Sequence, residues 1–260
     1  MTKLPQHLLL AGVLAAGAAH AQTAPAPAPP AEPPPAVHTF TGKAALYSEY
    51  EYRGISQTSE KPALQLNLDY AHASGFYLGT FITNIKWLKD SADVGGFSTK
   101  AKIEWDIYGG FKKEIAKDLT LDVGYLRYEY PQSKEFHPKP NTDEIYAGLT
   151  WTVLNVKYSH SLGDTFGFAN SKGSTFIEAN LAYPLMEGKL TLTGHVGHQK
   201  FKNNDDFSYT VWKAGAVYDL GGGWNVGGYV KGTDAKSDLY TYKGKDWSKD
   251  RLVAFVTYSF

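Results

Sequence analysis

Alternation of apolar and polar residues with a period of two runs through most of this sequence, and it limits the possible folds more than any other feature. In 64–70, three leucines and a tyrosine alternate with Gln, Asn and Asp, and 102–107 alternates in the same way with charged residues. This period is that of a β-strand with two different faces. No stretch after Phe40 keeps the helical period for more than about two turns. The sequence therefore predicts an all-β chain.

The alternating segments are also long. Most have about 10 to 13 residues, whereas strands of soluble proteins average about 5 to 6 and a tilted strand that crosses a bilayer needs about 9 to 11. We therefore predict a transmembrane antiparallel up-and-down β-barrel of about 12 strands. The segments are 41–53, 62–71, 76–87, 99–112, 118–130, 142–151, 154–161, 174–184, 189–200, 208–219, 223–233 and 250–260.

The connections between these segments alternate in length. The long connection 54–61 is followed by the short 72–75, the long 88–98 by the short 113–117, and the pattern continues to the long 234–249. Long loops at one end and short turns at the other are typical of outer-membrane barrels. An even number of strands places both ends of the barrel chain on the side of the short turns.

Composition excludes several classes of protein. The mean hydropathy of −0.34 argues against a helical membrane protein, because each helical span needs about 20 mostly apolar residues. The formal net charge of zero argues against a generic nucleic-acid binder. The absence of cysteine excludes disulfides, cysteine metal sites and thiol catalysis. We predict no cofactor and no metal site, since the loop acids Asp205, Asp206 and Asp234 lack the spacing of a calcium loop.

Three parts of the chain are expected. Residues 1–21 have the pattern of a secretory signal peptide, with Lys3, an apolar run at 8–19 and a small-residue cleavage site at 19–21. Residues 22–39 form a Pro/Ala-rich spacer, which is either inert or a tether through the cell wall. Residues 40–260 form the barrel, so the expected location is the outer membrane of a Gram-negative bacterium.

Charged residues fall on one parity of the strands. On the lipid face near the midplane an Arg or Lys would cost about 2–4 kcal/mol, so these residues are expected to face the interior and line a pore. The alternative to an open pore is a closed interior filled with ion-paired side chains. The predicted pore-lining residues are Glu49, Glu51, Arg53, Asp69, Lys102, Glu104, Asp106, Asp122, Lys157, Glu178, Lys213 and Lys231.

Aromatic residues cluster near the ends of the predicted strands. Indole and phenol groups prefer the membrane interface, so two girdles are expected, although aromatics are also good strand formers in general. The predicted membrane-interface aromatics are Trp87, Tyr128, Trp151, Tyr183, Trp224, Tyr258 and Phe260.

These features predict a channel for passive diffusion of small hydrophilic solutes or ions, with a slight acid surplus that favours cations. One alternative is a structural or adhesin-type barrel without an open pore. A second is a barrel hydrolase that uses His160, His195 or His198, although the alternation places His195 and His198 on opposite faces. We predict no catalytic residues. The aromatic-rich loop 234–249 is the leading candidate for a plug.

A family resemblance is carried by the start of the barrel. The segments 48–58 (SEYEYRGISQT), 61–65 (KPALQ) and 69–77 (DYAHASGFY) resemble the opening of the TorF family of porins. The resemblance implies a Gram-negative outer-membrane barrel with no known substrate and no mapped catalytic residues. It also implies that the barrel assembly machinery recognises the last strand through its terminal Phe260. The partners expected are this machinery, outer-membrane lipid and lipopolysaccharide, and small solutes.

Overall fold

The computed structural model describes residues 36–260. The predicted signal peptide and residues 22–35 of the predicted spacer lie outside the described residues. The first strand begins at His38, so the last two residues assigned to the spacer belong to the barrel wall.

Twelve long strands form the wall, and numbering all strands in chain order makes them β1, β4–β13 and β16. Two short hairpins (β2–β3 and β14–β15), one α-helix (α1) and three 3₁₀ turns lie in the connections. The bounds are β1 His38–Tyr47, β2 Glu51–Tyr52, β3 Ile55–Ser56, β4 Ala63–His72, β5 Phe76–Asn84, α1 Trp87–Val94, β6 Ile103–Ala116, β7 Leu119–Glu129, β8 Thr142–Trp151, β9 Leu154–Ser161, β10 Thr175–Leu185, Met186–Gly188 (3₁₀), β11 Leu190–Lys200, Asp205–Phe207 (3₁₀), β12 Tyr209–Gly221, β13 Trp224–Thr233, Ser237–Tyr240 (3₁₀), β14 Thr241–Tyr242, β15 Lys245–Asp246 and β16 Arg251–Ser259.

The wall is a closed antiparallel barrel in which each strand pairs with the strands next to it in the chain order of the wall. Strands β1 and β16 close the ring, with Lys43 opposite Ser259 and Tyr47 opposite Phe255. Gly42 and Phe260 extend this seam by exchanging backbone hydrogen bonds of 2.8 and 2.9 Å. Closure leaves no wall strand with an unpaired edge, which confirms the predicted fold class.

The two ends of the barrel differ as the sequence predicted. The long connections 48–62, 85–102, 130–141, 162–174, 201–208 and 234–250 lie at one end, which we call the long-loop end. The short-turn end carries 73–75, 117–118, 152–153, 186–189 and 222–223. Apolar side chains such as Ile177 and Val196 are exposed on the outer face, and charged side chains such as Glu178 point inward.

Three strand predictions need correction at the long-loop end. The fourth strand was predicted to begin at residue 99 but begins at Ile103. The first strand was predicted to run to residue 53 but ends at Tyr47, because the chain then turns into the barrel and forms the hairpin β2–β3. The third was predicted to end at residue 87 but ends at Asn84, and α1 begins at Trp87. Among the described residues, no helix is both long enough and apolar enough to span a membrane.

Candidate functional site

The hairpin β2–β3, which we call the inward hairpin (residues 51–56), has a two-residue turn. Arg53 and Gly54 both adopt positive φ angles, 46° and 86°, the combination of a tight type I′ hairpin turn. A Cβ on Gly54 would lie 2.5 Å from Val211 Cγ2, so the tip is pressed against β12. The turn chemistry and this close approach together require glycine at position 54.

Arg53 crosses the interior to the far side of the barrel. Its guanidinium donates to both carboxylate oxygens of Glu144 at 2.8 and 3.1 Å and to the side-chain oxygen of Gln199 at 2.8 Å. It also lies 4.3 Å from the ring centre of Phe176. These partners belong to β8, β11 and β10, which lie across the ring from β1 and β4, the strands that carry the hairpin. The hairpin therefore spans the cross-section of the barrel.

Other hairpin groups are tied to the remaining wall strands. Glu51 pairs with Lys213 of β12, and its carboxylate also accepts hydrogen bonds from the Tyr229 hydroxyl at 3.1 Å and from the Gly54 amide at 2.7 Å. Lys231 of β13 is fully buried and donates to the Gly54 carbonyl at 2.7 Å. These contacts fill the part of the interior nearest the long loops, which we call the long-loop half.

The residue that leads into the hairpin is also held by the wall. Tyr50 donates to Glu104 of β6 at 2.6 Å, and both side chains are buried. The hydroxyl of Tyr52 pairs with that of Tyr128 on β7. Wall strands all around the ring thus contact this segment, and no single strand positions it.

The short-turn half of the interior, the part nearest the short turns, is built differently. Tyr108 donates to Asp69 at 2.5 Å, and Tyr77 donates to Asp122 at 2.6 Å. Lys112 lies 4.0 Å from Asp122, with 40% of the lysine side chain exposed. The groups in this half are only partly buried, so their polar atoms face a space that solvent reaches.

The predicted pore-lining residues lie at several levels of the interior. Asp69 and Asp122 lie on the wall of the short-turn half, and Lys157 and Glu178 lie on the wall at about mid-height, close to Arg53. The residues Glu104, Asp106, Lys213 and Lys231 lie on the wall of the long-loop half. Glu49, Glu51 and Arg53 are buried inside, but they lie on the connection 48–62 and not on a wall strand. Lys102 is exposed just before β6, at the long-loop rim. Their role in lining a pore stays a prediction.

Several interior residues were missed by the sequence reasoning. Glu144, Lys43 and Lys112 lie on the inward parity of their strands, as the contacts with Arg53, the proximity of Lys43 to Asp69 and the 4.0 Å approach of Lys112 to Asp122 show. The alternation that found the other wall charges would also have found these three.

Two of the predicted membrane-interface aromatics were wrong. Tyr128 is buried inside the barrel against Tyr52. Trp87 opens α1 and packs edge-on against the buried Tyr130, at 5.4 Å between ring centres. The remaining five are exposed near the short-turn end, namely Trp151, Tyr183, Trp224, Tyr258 and Phe260. At the long-loop end, Trp105 and Trp212 are the exposed tryptophans of the outer face.

The histidines considered for a hydrolase are not brought together. His195 points inward and its Nδ1 lies 2.7 Å from Asn180, whereas His198 is exposed on the outer face beside Thr210. Ser159 is buried while the adjacent His160 stacks near the exposed Tyr158. Within residues 36–260, no group of three or more His, Cys, Asp and Glu side chains is arranged to hold a metal ion.

The last long loop lies over the inward hairpin. The Trp247 carbonyl accepts a hydrogen bond of 3.0 Å from the amide of Ser56, and the side chains of Trp247 and Tyr240 are buried. A cavity of about 460 Å³ opens beside this contact at the long-loop end, with Tyr52 and Ile55 among its lining residues. We call it the mouth cavity.

The closed twelve-stranded barrel with a hairpin inside it has the fold of an outer-membrane porin. The chain belongs to the family described as "Bacterial protein of unknown function (Gcw_chp)", whose model matches residues 31–260. It is similar in structure to the KdgM porin, with a TM-score of 0.54 at 10% identity over 85% of this chain and 99% of that one. A KdgM porin in complex with disordered oligogalacturonate gives a TM-score of 0.52 at 10% identity, over 86% and 99%. No curated protein matches the sequence.

Proposed function

We propose that the protein is an outer-membrane channel for passive diffusion of small hydrophilic solutes or ions, narrowed by the inward hairpin. The observation that carries the proposal is the contact of Arg53 with Glu144 and Gln199 across the barrel, above a short-turn half whose polar side chains reach solvent. Constrictions of this kind set the size limit of a pore, while charged walls set its ionic preference.

The outer face supports the location. Exposed apolar side chains such as Leu64, Leu149 and Val226 surround the wall, and such a continuous apolar band is stable against lipid and not against water. We infer that residues 1–21 direct export, that the long loops face the outside of the cell, and that lipopolysaccharide contacts the long-loop rim. We also infer that the strand ending in Phe260 is what the assembly machinery recognises, in agreement with the TorF resemblance.

The charges support a weak preference for cations. In the short-turn half the acids Asp69 and Asp122 have the lysines Lys43 and Lys112 beside them, so that half is close to neutral. In the long-loop half, acids outnumber bases. The acids there are Glu49, Glu51, Glu104, Asp106 and Glu144, and the bases are Arg53, Lys213, Lys231 and Arg251.

Planar-bilayer recording of the refolded protein tests the channel. We expect discrete conductance steps, and larger steps when residues 51–56 are replaced by an equal number of Gly and Ser residues, because that change removes the constriction. Replacing the exposed turn residues 186–188 by Gly and Ser is the matched control and should leave the steps unchanged. Folding is verified by heat-dependent gel mobility. A folded barrel that stays silent even without its hairpin would reject the channel.

One observation favours a second candidate, a structural or adhesin-type barrel without an open pore. The buried contacts of Arg53, Glu51 and Lys231 together join the hairpin to five wall strands and fill the cross-section. If the wild type is silent and only the hairpin replacement conducts, the hairpin is a permanent plug and this second candidate is correct.

A further inference from the structure

A groove on the outer face of the barrel lies apart from the mouth cavity and from the interior. It runs between the connections 162–174 and 201–208 at the long-loop end, and its volume of about 520 Å³ is enough for a small ligand or a lipid headgroup. We call it the rim groove. The described residues that line it are His160, Asp164, Asn170, Lys172, Gly173, Lys202 and Asn203. The proposed channel uses none of them.

The two connections that form the rim groove are fastened to each other. The side-chain amide of Asn203 donates to the Asn170 carbonyl at 2.9 Å, and that of Asn204 donates to the Ala169 carbonyl at 3.1 Å. Because these hydrogen bonds hold both walls, the groove has its shape before a ligand arrives, and less freedom is lost on binding.

The charges of the lining favour an anion. Lys172 and Lys202 are exposed, and within residues 36–260 no carboxylate forms an ion pair with either of them. Asp164 is the one acid among the described lining residues, and it accepts a hydrogen bond of 2.9 Å from the Ser171 amide. A cation would be repelled by the two lysines, and a neutral saccharide would leave both ammonium groups without a counter-charge.

The nearby acids do not offset these lysines. Asp205 and Asp206 lie in the following 3₁₀ turn and do not line the groove, and Asp206 is paired with Lys236. Asp143, on the adjacent strand β8, has both carboxylate oxygens bonded to Arg127 at 2.9 and 3.0 Å. The two lysines of the groove are therefore open to an anion from outside the chain.

An open position lies between two of the basic side chains. A Cβ built on Gly173 would be 3.6 Å from Lys202 Nζ and 3.7 Å from His160 Cε1. Because glycine has no Cβ, a ligand atom can take this position and contact both side chains at once. The φ of +86° at Gly173 disfavours any other residue, so the backbone keeps the position open.

The rim groove lies at the level of the lipid headgroups. Tryptophan on an outer face marks the membrane interface, and Lys200 of β11 lies four residues beyond the position opposite the exposed Trp212, toward the long loops. His160 and Lys200 both lie opposite Thr175 of β10, so His160 is at the same level. The anion nearest to the groove is therefore that of a membrane lipid.

A phosphate monoester matches this site better than other lipid anions. It carries a charge of about −1.5 to −2 at neutral pH and three acceptor oxygens, so one phosphate can accept from two ammonium groups at the same time. A carboxylate or a phosphodiester carries a single charge. Lipopolysaccharide is the lipid of the outer leaflet that bears phosphate monoesters.

We propose that the rim groove binds a phosphate group of lipopolysaccharide, with Lys172 and Lys202 donating to its oxygens. This lipid is within reach only if the long loops face the outside of the cell, so the site rests on the proposed function for its location. Binding does not depend on conduction, because the groove lies outside the barrel interior.

Native mass spectrometry of the full chain, refolded in a neutral detergent, tests the site. The probes are lipid A, the phosphorylated anchor of lipopolysaccharide, and the same lipid A after a phosphatase has removed its phosphates. We expect saturable binding of lipid A and at least about ten-fold weaker binding of the dephosphorylated form, since only the phosphates differ. Absence of saturable lipid A binding, or equal binding of the two forms, would overturn the proposal.

Inorganic phosphate separates a lipid site from a site for free anions. At about a hundred-fold excess it should not displace lipid A, because it lacks the acyl chains that contact the apolar wall. Displacement of lipid A by inorganic phosphate would mean that the rim groove takes a free anion, and it would overturn lipopolysaccharide as the ligand.

A pair of double variants locates the binding. Lys172→Gln with Lys202→Gln removes both ammonium groups from the groove, and we expect the affinity for lipid A to fall about ten-fold. Lys134→Gln with Lys139→Gln is the matched control, because it removes two exposed charges from the connection 130–141 of the same rim and should bind as the wild type does. Equal losses of affinity in the two double variants would show attraction to the rim as a whole and contradict a built site.

The results are separable from those for the proposed function. Phosphate-dependent binding of lipid A by a barrel that never conducts would reject the channel and keep the site. Conduction by a barrel without such binding would reject the site and keep the channel.

Labelling of whole cells tests the location. The chain has no cysteine of its own, so Asp238→Cys, in an exposed part of the last long connection, gives a single thiol. A membrane-impermeant maleimide should label this thiol on intact cells. Labelling only after lysis would place the long loops inside the cell and overturn lipopolysaccharide as the ligand.

Discussion

The two halves of the barrel interior contain the same kinds of ion pair, but these pairs contribute differently to stability. In the long-loop half, Arg53 and Glu144 approach to 2.8 Å with 7% and 2% of their side chains exposed. In the short-turn half, Lys112 and Asp122 approach to 4.0 Å, and their side chains remain 40% and 24% exposed. The difference arises from the inward hairpin, which excludes solvent from the long-loop half alone.

This difference shows that surroundings, and not residue type, decide what an ion pair contributes. An exposed pair is worth about 0–1 kcal/mol, because water competes for both charges. A buried pair has lost its water, so removing one partner leaves an unpaired charge in a medium that cannot solvate it. In the proposed channel the long-loop half would therefore control the passage of a solute, and the short-turn half would serve as a solvated wall.

The largest effect is expected for Arg53→Ala. The substitution leaves Glu144 buried without its cation, and we expect the free energy of unfolding to fall by about 3–5 kcal/mol. Urea unfolding in lipid vesicles, followed by tryptophan fluorescence, measures this loss.

Lys112→Ala is the matched control in the short-turn half, and it should cost about 1 kcal/mol or less. The double variant Arg53→Ala, Glu144→Gln should recover part of the loss, since it removes the stranded charge. Equal losses of unfolding free energy for Arg53→Ala and Lys112→Ala would show that the two halves do not differ as described.

A smaller effect is expected for Gly54→Ala. The residue has a φ of +86°, and its new Cβ would lie 2.5 Å from Val211, so strain and overpacking add to a loss of about 1–3 kcal/mol. Gly221→Ala isolates the strain, because Gly221 has a φ of +84° with nothing within 4 Å of the added atom. The same unfolding assay compares them. If Gly221→Ala proved as costly, the tip of the hairpin would not be tightly packed.

The wall could be predicted from the sequence and the hairpin could not. The two-residue period and the lengths of the segments are local properties, and they placed most wall strands within a few residues. The segment 48–53 also alternates, so it fits a wall strand and an inward hairpin equally well. The contacts that decide between them join Arg53 to Glu144 and Gln199, which lie 91 and 146 residues away in the chain.

The errors at Trp87 and Tyr128 have a separate cause. Nearness to a strand end indicates a membrane interface only for residues on the outward parity, and Tyr128 shares the inward parity of Asp122 on β7. Consistent use of the alternation would have placed Tyr128 inside. The position of Trp87 depends on α1, and residues 87–94 show no strong helical period in the sequence.

Neutralising an acid of the short-turn half should change selectivity more than stability. Asp122→Asn removes a partly exposed charge, so we expect about 1 kcal/mol or less in unfolding and a modest fall in the ratio of cation to anion permeability. The reversal potential across a salt gradient measures the ratio. Glu187→Gln, in an exposed turn at the same end, is the control and should change neither quantity. An unchanged reversal potential for Asp122→Asn would exclude Asp122 from the path of the ions.

The smallest effect on stability is expected at an exposed ion pair between two long loops. Lys243 donates to Asp93 of α1 at 2.6 Å, and this hydrogen bond holds the pKa of Asp93 below its usual value of about 3.9. Because the pKa of Asp93 is lowered in the folded state, the ion pair with Lys243 stabilises the fold fully above about pH 4. This stabilisation is lost as the pH falls through the lowered pKa. At neutral pH, Lys243→Met should leave global unfolding unchanged, because water surrounds both groups.

The expected result of Lys243→Met is local, namely faster amide exchange in 241–246 than in the wild type. That difference should narrow as the pH falls below about 4, where protonation of Asp93 removes the tie from the wild type too. A difference that stayed constant with pH would mean that the Asp93 carboxylate is not the partner that matters. If Lys243→Met lowered the free energy of unfolding as much as Arg53→Ala does, an exposed ion pair would contribute as much as a buried one. Exclusion of solvent would then not explain why the ion pair in the long-loop half matters more.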